Sequence, residues 1–266
     1  MHHVGTVEAV EQLTPTLVRI VFGGEGLDGY EPTDHTDEYV NALFVPDGAD
    51  YAPPFDPEEV RGRAPEHAPR GRRYTVRAWD PDQRWLTIDF VVHGDVGYAG
   101  RWAQRARPGD RLQIVGTSGG YRPADDAEWY LLVGDESAVP AIARSLEAVP
   151  AGRRCEVIVV VDDAGHEFDL DGPGDVRVRW MHRHGGHSSA EEFVAAVAAI
   201  DGWSPNVDVF VHGEAAEVRA VRKFLLAERG VDRANASISP YWRRGQNDEA
   251  WREVKRDWLA EQAADV

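Results

Sequence analysis

The feature that most constrains this chain is a change of pattern near residue 127. Before it, apolar residues come in short β-branched and aromatic runs, at 4–10, 17–22, 39–45, 72–79, 85–92 and 111–115. Turn residues such as Thr14-Pro15-Thr16, Asp80-Pro81-Asp82 and Pro108-Gly109-Asp110 separate them. Short strands with no long helix predict a small antiparallel barrel. After residue 127 the runs are continuous and apolar, at 129–133, 155–161, 176–181 and 207–212, as in strands buried on both faces. Helical stretches at 189–200 and 215–229 alternate with them, and Ser137 is placed to cap a further helix with Pro140 in its first turn. Alternating strand and helix predicts a parallel sheet with right-handed crossovers. The expected fold class is therefore β plus α/β. A six-stranded antiparallel Greek-key barrel spans 1–124, a parallel α/β domain spans 125–245 and a C-terminal helix spans 246–266. Trp251, Val254 and Trp258 form the apolar stripe of that last helix, which is expected to dock on the core, a lid being the other reading.

Within the barrel half, Arg72-Arg73-Tyr74-Thr75-Val76-Arg77 reads as a strand. Alternation puts Arg73, Thr75 and Arg77 on one face, and Arg72, Tyr74, Val76 and Ala78 on the other. Guanidinium groups suit a pyrophosphate, and a phenol ring suits stacking. The plainer reading is an edge strand with solvated arginines. Downstream, Gly94, Gly97 and Gly100 lead directly into a short helix at 101–106, which would put free backbone N–H groups at a helix N-terminus. Upstream, residues 46–71 carry Pro46, Pro53, Pro54, Pro57, Pro65 and Pro69, and read as a long loop, either functional or disordered.

Charge and cysteine content narrow the function. The formal charge of −17 disfavours general binding to nucleic acid or to an anionic membrane. Cys155 is the only cysteine, so no intramolecular disulfide and no cysteine-built metal or iron–sulfur site can form. Redox chemistry would need a borrowed cofactor. With no membrane-length apolar run and no signal peptide, a cytoplasmic location is the default. His182, His184 and His187 resemble a metal cluster, but on a polar, glycine-containing loop they read as solvated, and no metal site is assigned.

Taken together, four stretches give the chain a close resemblance to the siderophore-interacting proteins, flavin-dependent ferric-siderophore reductases of the ferredoxin–NADP reductase-like superfamily. The stretches are Arg72 to Arg77; Asp89 to Gly94 with Gly97, Ala99, Trp102-Ala103 and Pro108-Gly109-Asp110; Gly134 to Ile142; and Gly213-Glu214-Ala215-Ala216 with Tyr241-Trp242-Arg243-Arg244-Gly245. The resemblance implies FAD on the barrel, held by Arg72, Tyr74, Thr75 and Arg77, with His93, Gly94, Gly97 and Ala99 at the phosphate turn and Thr117 beyond it. It implies NADH or NADPH at the sheet, with Gly134, Asp135, Glu136 and Ser137 at the first strand-to-helix turn. The implied substrate is a ferric siderophore entering near the flavin, with Arg243 and Arg244 as candidates for a basic patch. The other role for that pair is to bridge acidic groups near the final helix. Arg153, Arg154 and Arg183 are candidates to meet a 2′-phosphate, and a ferredoxin donor is possible. Two departures stand out: Tyr98 where the turn usually has proline or serine, and Asn41 where the third strand commonly has lysine. The expected reaction is hydride transfer from NAD(P)H to FAD, then electron transfer to Fe(III), with no side chain assigned as acid or base. The rival readings are a general flavin reductase and a non-catalytic siderophore carrier.

Overall fold

The computed structural model describes residues 2–92, 97–186, 188–263 and 265. His93, Gly94 and His187, singled out above, lie outside the described residues. The chain divides into two compact units, 1–120 and 121–266.

In the first unit, β1 (His2–Thr14), β2 (Leu17–Gly23), β3 (Tyr39–Phe44), β4 (Arg70–Asp80), β5 (Trp85–Val91) and β6 (Arg111–Ser118) close into an antiparallel barrel in the order β1-β2-β5-β4-β3-β6. The expected six-stranded barrel is therefore present. Its interior is filled by Val18, Ile20, Phe22, Val40, Phe44, Val76, Leu86, Ile88 and Phe90. One end is covered by α2 (Tyr98–Arg105), whose Ala99, Trp102 and Ala103 join the same core.

Residues 46–71 are not a plain loop. They hold a helix, α1 (Pro57–Arg63), whose N-cap Asp56 accepts hydrogen bonds from the Glu58 and Glu59 N–H groups. Asp-Pro-Glu-Glu is a start signal that the density of prolines obscured: Pro57 sits at the first helical position, where its missing N–H costs nothing. Gln113, buried on β6, pins this segment by accepting from the Phe55 N–H at 2.9 Å and donating to the Phe55 carbonyl at 2.8 Å.

In the second unit, β7 (Trp129–Asp135), β8 (Arg154–Val161), β9 (Asp175–His182), β10 (Val207–Glu214) and β11 (Ala236–Trp242) form a parallel sheet in the order β11-β10-β7-β8-β9. Helices α3 (Val139–Ala148), α4 (Ala190–Ala198) and α5 (Ala215–Lys223) alternate with the strands, and a π-turn over Phe224–Glu228 extends α5. β11 was not anticipated, because Pro240 demotes a strand reading; it is an edge strand, where a missing N–H is tolerated. Ser189 and Glu192 form a reciprocal capping box on α4. The last helix, α6 (Asp248–Ala263), docks as expected through Trp251 and Trp258 against Ala215. Val254 is a correction to the stripe: it is 37% exposed. Ion pairing of Arg219 with Asp265 and a bond from Arg222 to the Gln262 carbonyl hold the helix end down. Among the described residues, no helix is long and apolar enough to cross a membrane.

Candidate functional site

On the barrel, alternation holds along β4 only as far as Val76. Tyr74 packs toward the interior, its ring 4.4 Å from that of Phe90, and Val76 is fully buried. Between Val76 and Ala78 the register with β5 slips by one residue. This bulge turns Ala78 out and Trp79 in, correcting the expected shared face of Val76 and Ala78. Arg73 faces out and lies 5.5 Å from the centre of the Tyr39 ring. Thr75 is buried, and Arg72 donates to the Gly71 carbonyl at 2.9 Å. Tyr39 pairs with Thr75 on one side and Ser118 on the other, so Thr117 lies near the Thr75 level of the barrel. From Arg72 to Arg77 the strand runs about 17 Å at the usual rise of a β-residue.

The start of β4 meets the start of α2. Gly97 is the N-cap of α2, with φ of +79°, no side-chain cap and nothing within 4 Å of where a Cβ would stand. The first N–H groups of a helix have no partner within it, so this end presents donors and a positive dipole. Ala99 is buried in the barrel core and offers only its backbone. The Tyr98 ring has two guanidinium neighbours, Arg70 at 5.6 Å and Arg101 at 5.8 Å from its centre. Arg70 Nε is buried and, among the described residues, has no hydrogen-bond partner. Sequence reasoning passed over Arg70, although Pro69-Arg70-Gly71-Arg72-Arg73 is visibly basic, because it was read as the tail of a loop. A desolvated donor, two further cations on β4 and an open helix N-terminus fit the diphosphate of a dinucleotide cofactor.

On the sheet, strand order reverses between β7 and β10, which places the ligand crevice of such a fold outside the carboxyl ends of these two strands. Here the chain fills that position with its own carboxylates. Asp135 Oδ1 accepts from the Ser137 N–H at 2.9 Å and the Ser137 hydroxyl at 2.5 Å. Its Oδ2 accepts from the Glu214 N–H at 3.0 Å and the Trp242 indole at 2.7 Å. Burial raises the Asp135 pKa, the Glu136 charge adds to this, and the Ser137 and Trp242 bonds oppose it. Ser137 therefore does not cap α3 as expected; the N-cap is Ala138, because the Asp135 carboxylate takes the serine. Gly134 allows the close packing: a Cβ there would lie 2.5 Å from that of Ala138 and 2.7 Å from the His212 carbonyl.

The neighbouring acids are also engaged. Glu136 takes both ends of the Arg183 guanidinium, at 2.5 and 2.8 Å, and Asp162 accepts from the same group at 3.2 Å. Arg154 sits at the opposite end of β8, bonded to Glu156 and to the Asp201 and Gly202 carbonyls. Glu214 caps α5 through the Ala216 and Glu217 N–H groups and accepts from the Arg244 N–H. Glu217 accepts from the Ser188 hydroxyl and from Arg244 at 3.1 Å; burial raises its pKa, against the Ser188 bond. Arg244 thus bridges acidic groups, and Arg243 lies 5.9 Å from the centre of the Trp251 ring on α6.

His212 is the residue here that sequence reasoning missed, since its place beside β7 follows from strand order alone. Its ring lies between those of Phe210 at 4.1 Å and Tyr241 at 4.7 Å, and burial pushes its pKa down to about 3. His182 pairs with Glu167 at 2.6 Å, and among the described residues no group of three ligating side chains gathers as a metal site.

Comparison with known proteins agrees with this geometry. Residues 6–121 match the siderophore-interacting FAD-binding domain, and residues 127–245 match the siderophore-interacting protein domain. The chain is 37% identical to the NADPH-dependent ferric-chelate reductase of Escherichia coli K12, covering 89% of this chain and 91% of that one. It is 32% identical to the ferric vibriobactin reductase ViuB of Vibrio cholerae, over 91% of this chain and 90% of that one. Among solved structures, the siderophore-interacting protein SipS of Aeromonas hydrophila is similar, with a TM-score of 0.82 and 28% identity over 97% of this chain and 98% of that one.

Proposed function

This chain belongs to the siderophore-interacting protein family, and from that premise we propose that it is an FAD-dependent reductase that takes electrons from NAD(P)H and releases iron from ferric siderophores. The observation that carries the reading is the junction of β4 with α2, where arginines and an uncapped helix N-terminus face one small region. Bound FAD supplies the chemistry: one NAD(P)H gives a hydride, two Fe(III) become two Fe(II), and NAD(P)⁺ and a proton leave. The chain's residues supply binding and placement. Arg72, Tyr74, Thr75 and Arg77 hold the diphosphate and the flavin ring between them, with the backbone at Gly97, Tyr98 and Ala99 on the diphosphate. Tyr74, fixed against Phe90, is an anchor for the flavin ring, and Thr75 and Thr117 border it.

At the sheet, Gly134 to Ser137 form the floor of the donor site rather than its phosphate cradle, since their polar groups are already engaged. Arg243 remains the candidate for substrate contact, with Arg244 supporting it. A cytoplasmic setting fits the free, buried Cys155, and ferredoxin is an alternative donor. Fe(II) is the softer ion and is held more weakly by hard oxygen ligands, so reduction favours release.

The test is spectroscopic. The purified protein is expected to be yellow, to bleach anaerobically with NADH or NADPH, and to recover its colour on adding a ferric siderophore while an Fe(II)-specific chromophoric chelator develops colour. Recovery with free flavin or oxygen but not with ferric siderophore would make it a general flavin reductase. Failure to take up FAD at all would end both enzyme readings.

A further inference from the structure

The residues expected to hold the cofactor leave out the cation closest to the α2 N-terminal tyrosine. We propose that Arg70 is a phosphate-contacting residue of the FAD site, and that Tyr98 is a positioning residue that holds Arg70 and Arg101 beside the α2 N-terminus; this rests on the FAD-binding reading above. Three observations carry it. First, Arg70 opens β4 opposite Phe44, so the strand pairing fixes its backbone. Second, both guanidinium groups lie within 6 Å of the centre of the Tyr98 ring, at 5.6 and 5.8 Å, the range in which the negative face of an aromatic ring attracts a cation. Arg101 is further tied across the first turn of α2, its Nε donating to the Gly97 carbonyl at 2.8 Å. Third, Arg70 Nε is buried with no hydrogen-bond partner among the described residues.

The third observation points to a ligand. A buried donor left unmade is costly, and folding tolerates it where something else completes the bond. Nε is one of the donors that a guanidinium uses to grip a phosphate with two parallel bonds. Among the described residues, Arg101 pairs with Asp47 at 3.6 Å, a carboxylate 85% exposed and so a contact of little strength in water. Two cations thus stand beside helical N–H groups that no described side chain caps. A diphosphate is the chemistry that matches them. A ligand with the same ring system but no phosphate gains nothing from Arg70.

The test compares FAD with riboflavin on the apoprotein, by quenching of flavin fluorescence at two salt concentrations. For Arg70→Met, FAD is expected to bind about tenfold to a hundredfold more weakly, with a shallower salt dependence and riboflavin binding unchanged. Tyr98→Leu is expected to weaken FAD about fivefold by releasing both cations, and Tyr98→Phe, which keeps the ring face, to bind as the original protein does. Equal losses for FAD and riboflavin in Arg70→Met, or no loss for FAD, would overturn the proposal, as would a Tyr98→Phe variant as weak as Tyr98→Leu. Should an Arg70→Met protein melt early, the Tyr98 pair still decides. If FAD binding depends on Arg70 but the bound flavin passes no electrons to ferric siderophore, the reductase reading falls and this one stands.

Discussion

Helix starts in the two units of this protein differ in their chemistry. At the barrel, no described side chain caps α2 at Gly97, and Arg70 and Arg101 stand beside its first residue. At the sheet, Glu214 caps α5 from within the chain, and Asp135 binds the Ser137 turn that precedes α3. A helix start attracts negative charge in either case. In the second the chain supplies that charge, and in the first the proposed cofactor would. Substitutions at the open junction should therefore act on cofactor affinity, and those at the closed one on stability.

The sharpest way to break this contrast is Asp135→Ala. It strands the Ser137 N–H and hydroxyl, the Glu214 N–H and the Trp242 indole together. A loss of about 3–5 kcal/mol in urea unfolding is expected, with FAD affinity of the surviving folded protein unchanged. A stable variant with lost FAD affinity would reverse the assignment. At the open junction, Arg72→Met should cost about 2 kcal/mol of FAD binding, roughly thirtyfold, and leave apoprotein unfolding within about 0.5 kcal/mol.

A third effect follows from His212, whose folded pKa of about 3 lies below the ordinary 6.5. The unfolded chain binds a proton that the folded one refuses, so this group removes stability as pH falls below 6.5 and continues to do so down to about 3. The loss is about 2 kcal/mol by pH 5. The raised pKa values of Asp135 and Glu217 act in the opposite sense, favouring the folded state as pH falls. The measurement is therefore the difference between the protein and His212→Gln, unfolded in urea at pH 7 and pH 5. The stability advantage of the original protein over the variant should shrink by about 2 kcal/mol, and a constant difference would remove His212 as the cause. The smallest effect is at Asn41, whose Oδ1 is buried without a partner. Asn41→Leu should change stability by less than about 1 kcal/mol, because an unmade bond has little to lose.

Much of this was legible in one dimension, for reasons of period and spacing. The six barrel strands and four of the sheet strands follow from runs of β-branched residues and the turns between them. The helix expected at 189–200 is present as α4, and Trp251 with Trp258 announced a docked face. The reading failed where one local signal masked another. Pro240 hid β11, the prolines of 46–71 hid α1, and the bulge at Val76–Ala78 broke an alternation that looked regular.

The sequence by itself determined the fold class and the family, because periodicity and ordered motifs are properties of the chain, and it supplied the stretch proposed to hold the cofactor. Tertiary structure decided which charges are free to act. Asp135, Glu136 and Arg183 look available in the sequence and are bonded to one another or to backbone in the fold. Arg70 looks like loop, and its strand pairing brings it to the Tyr98 ring and the start of α2. The reason is physical: whether a charged group serves a ligand or its own protein depends on the neighbours that remove it from water, and those neighbours are far away in the chain.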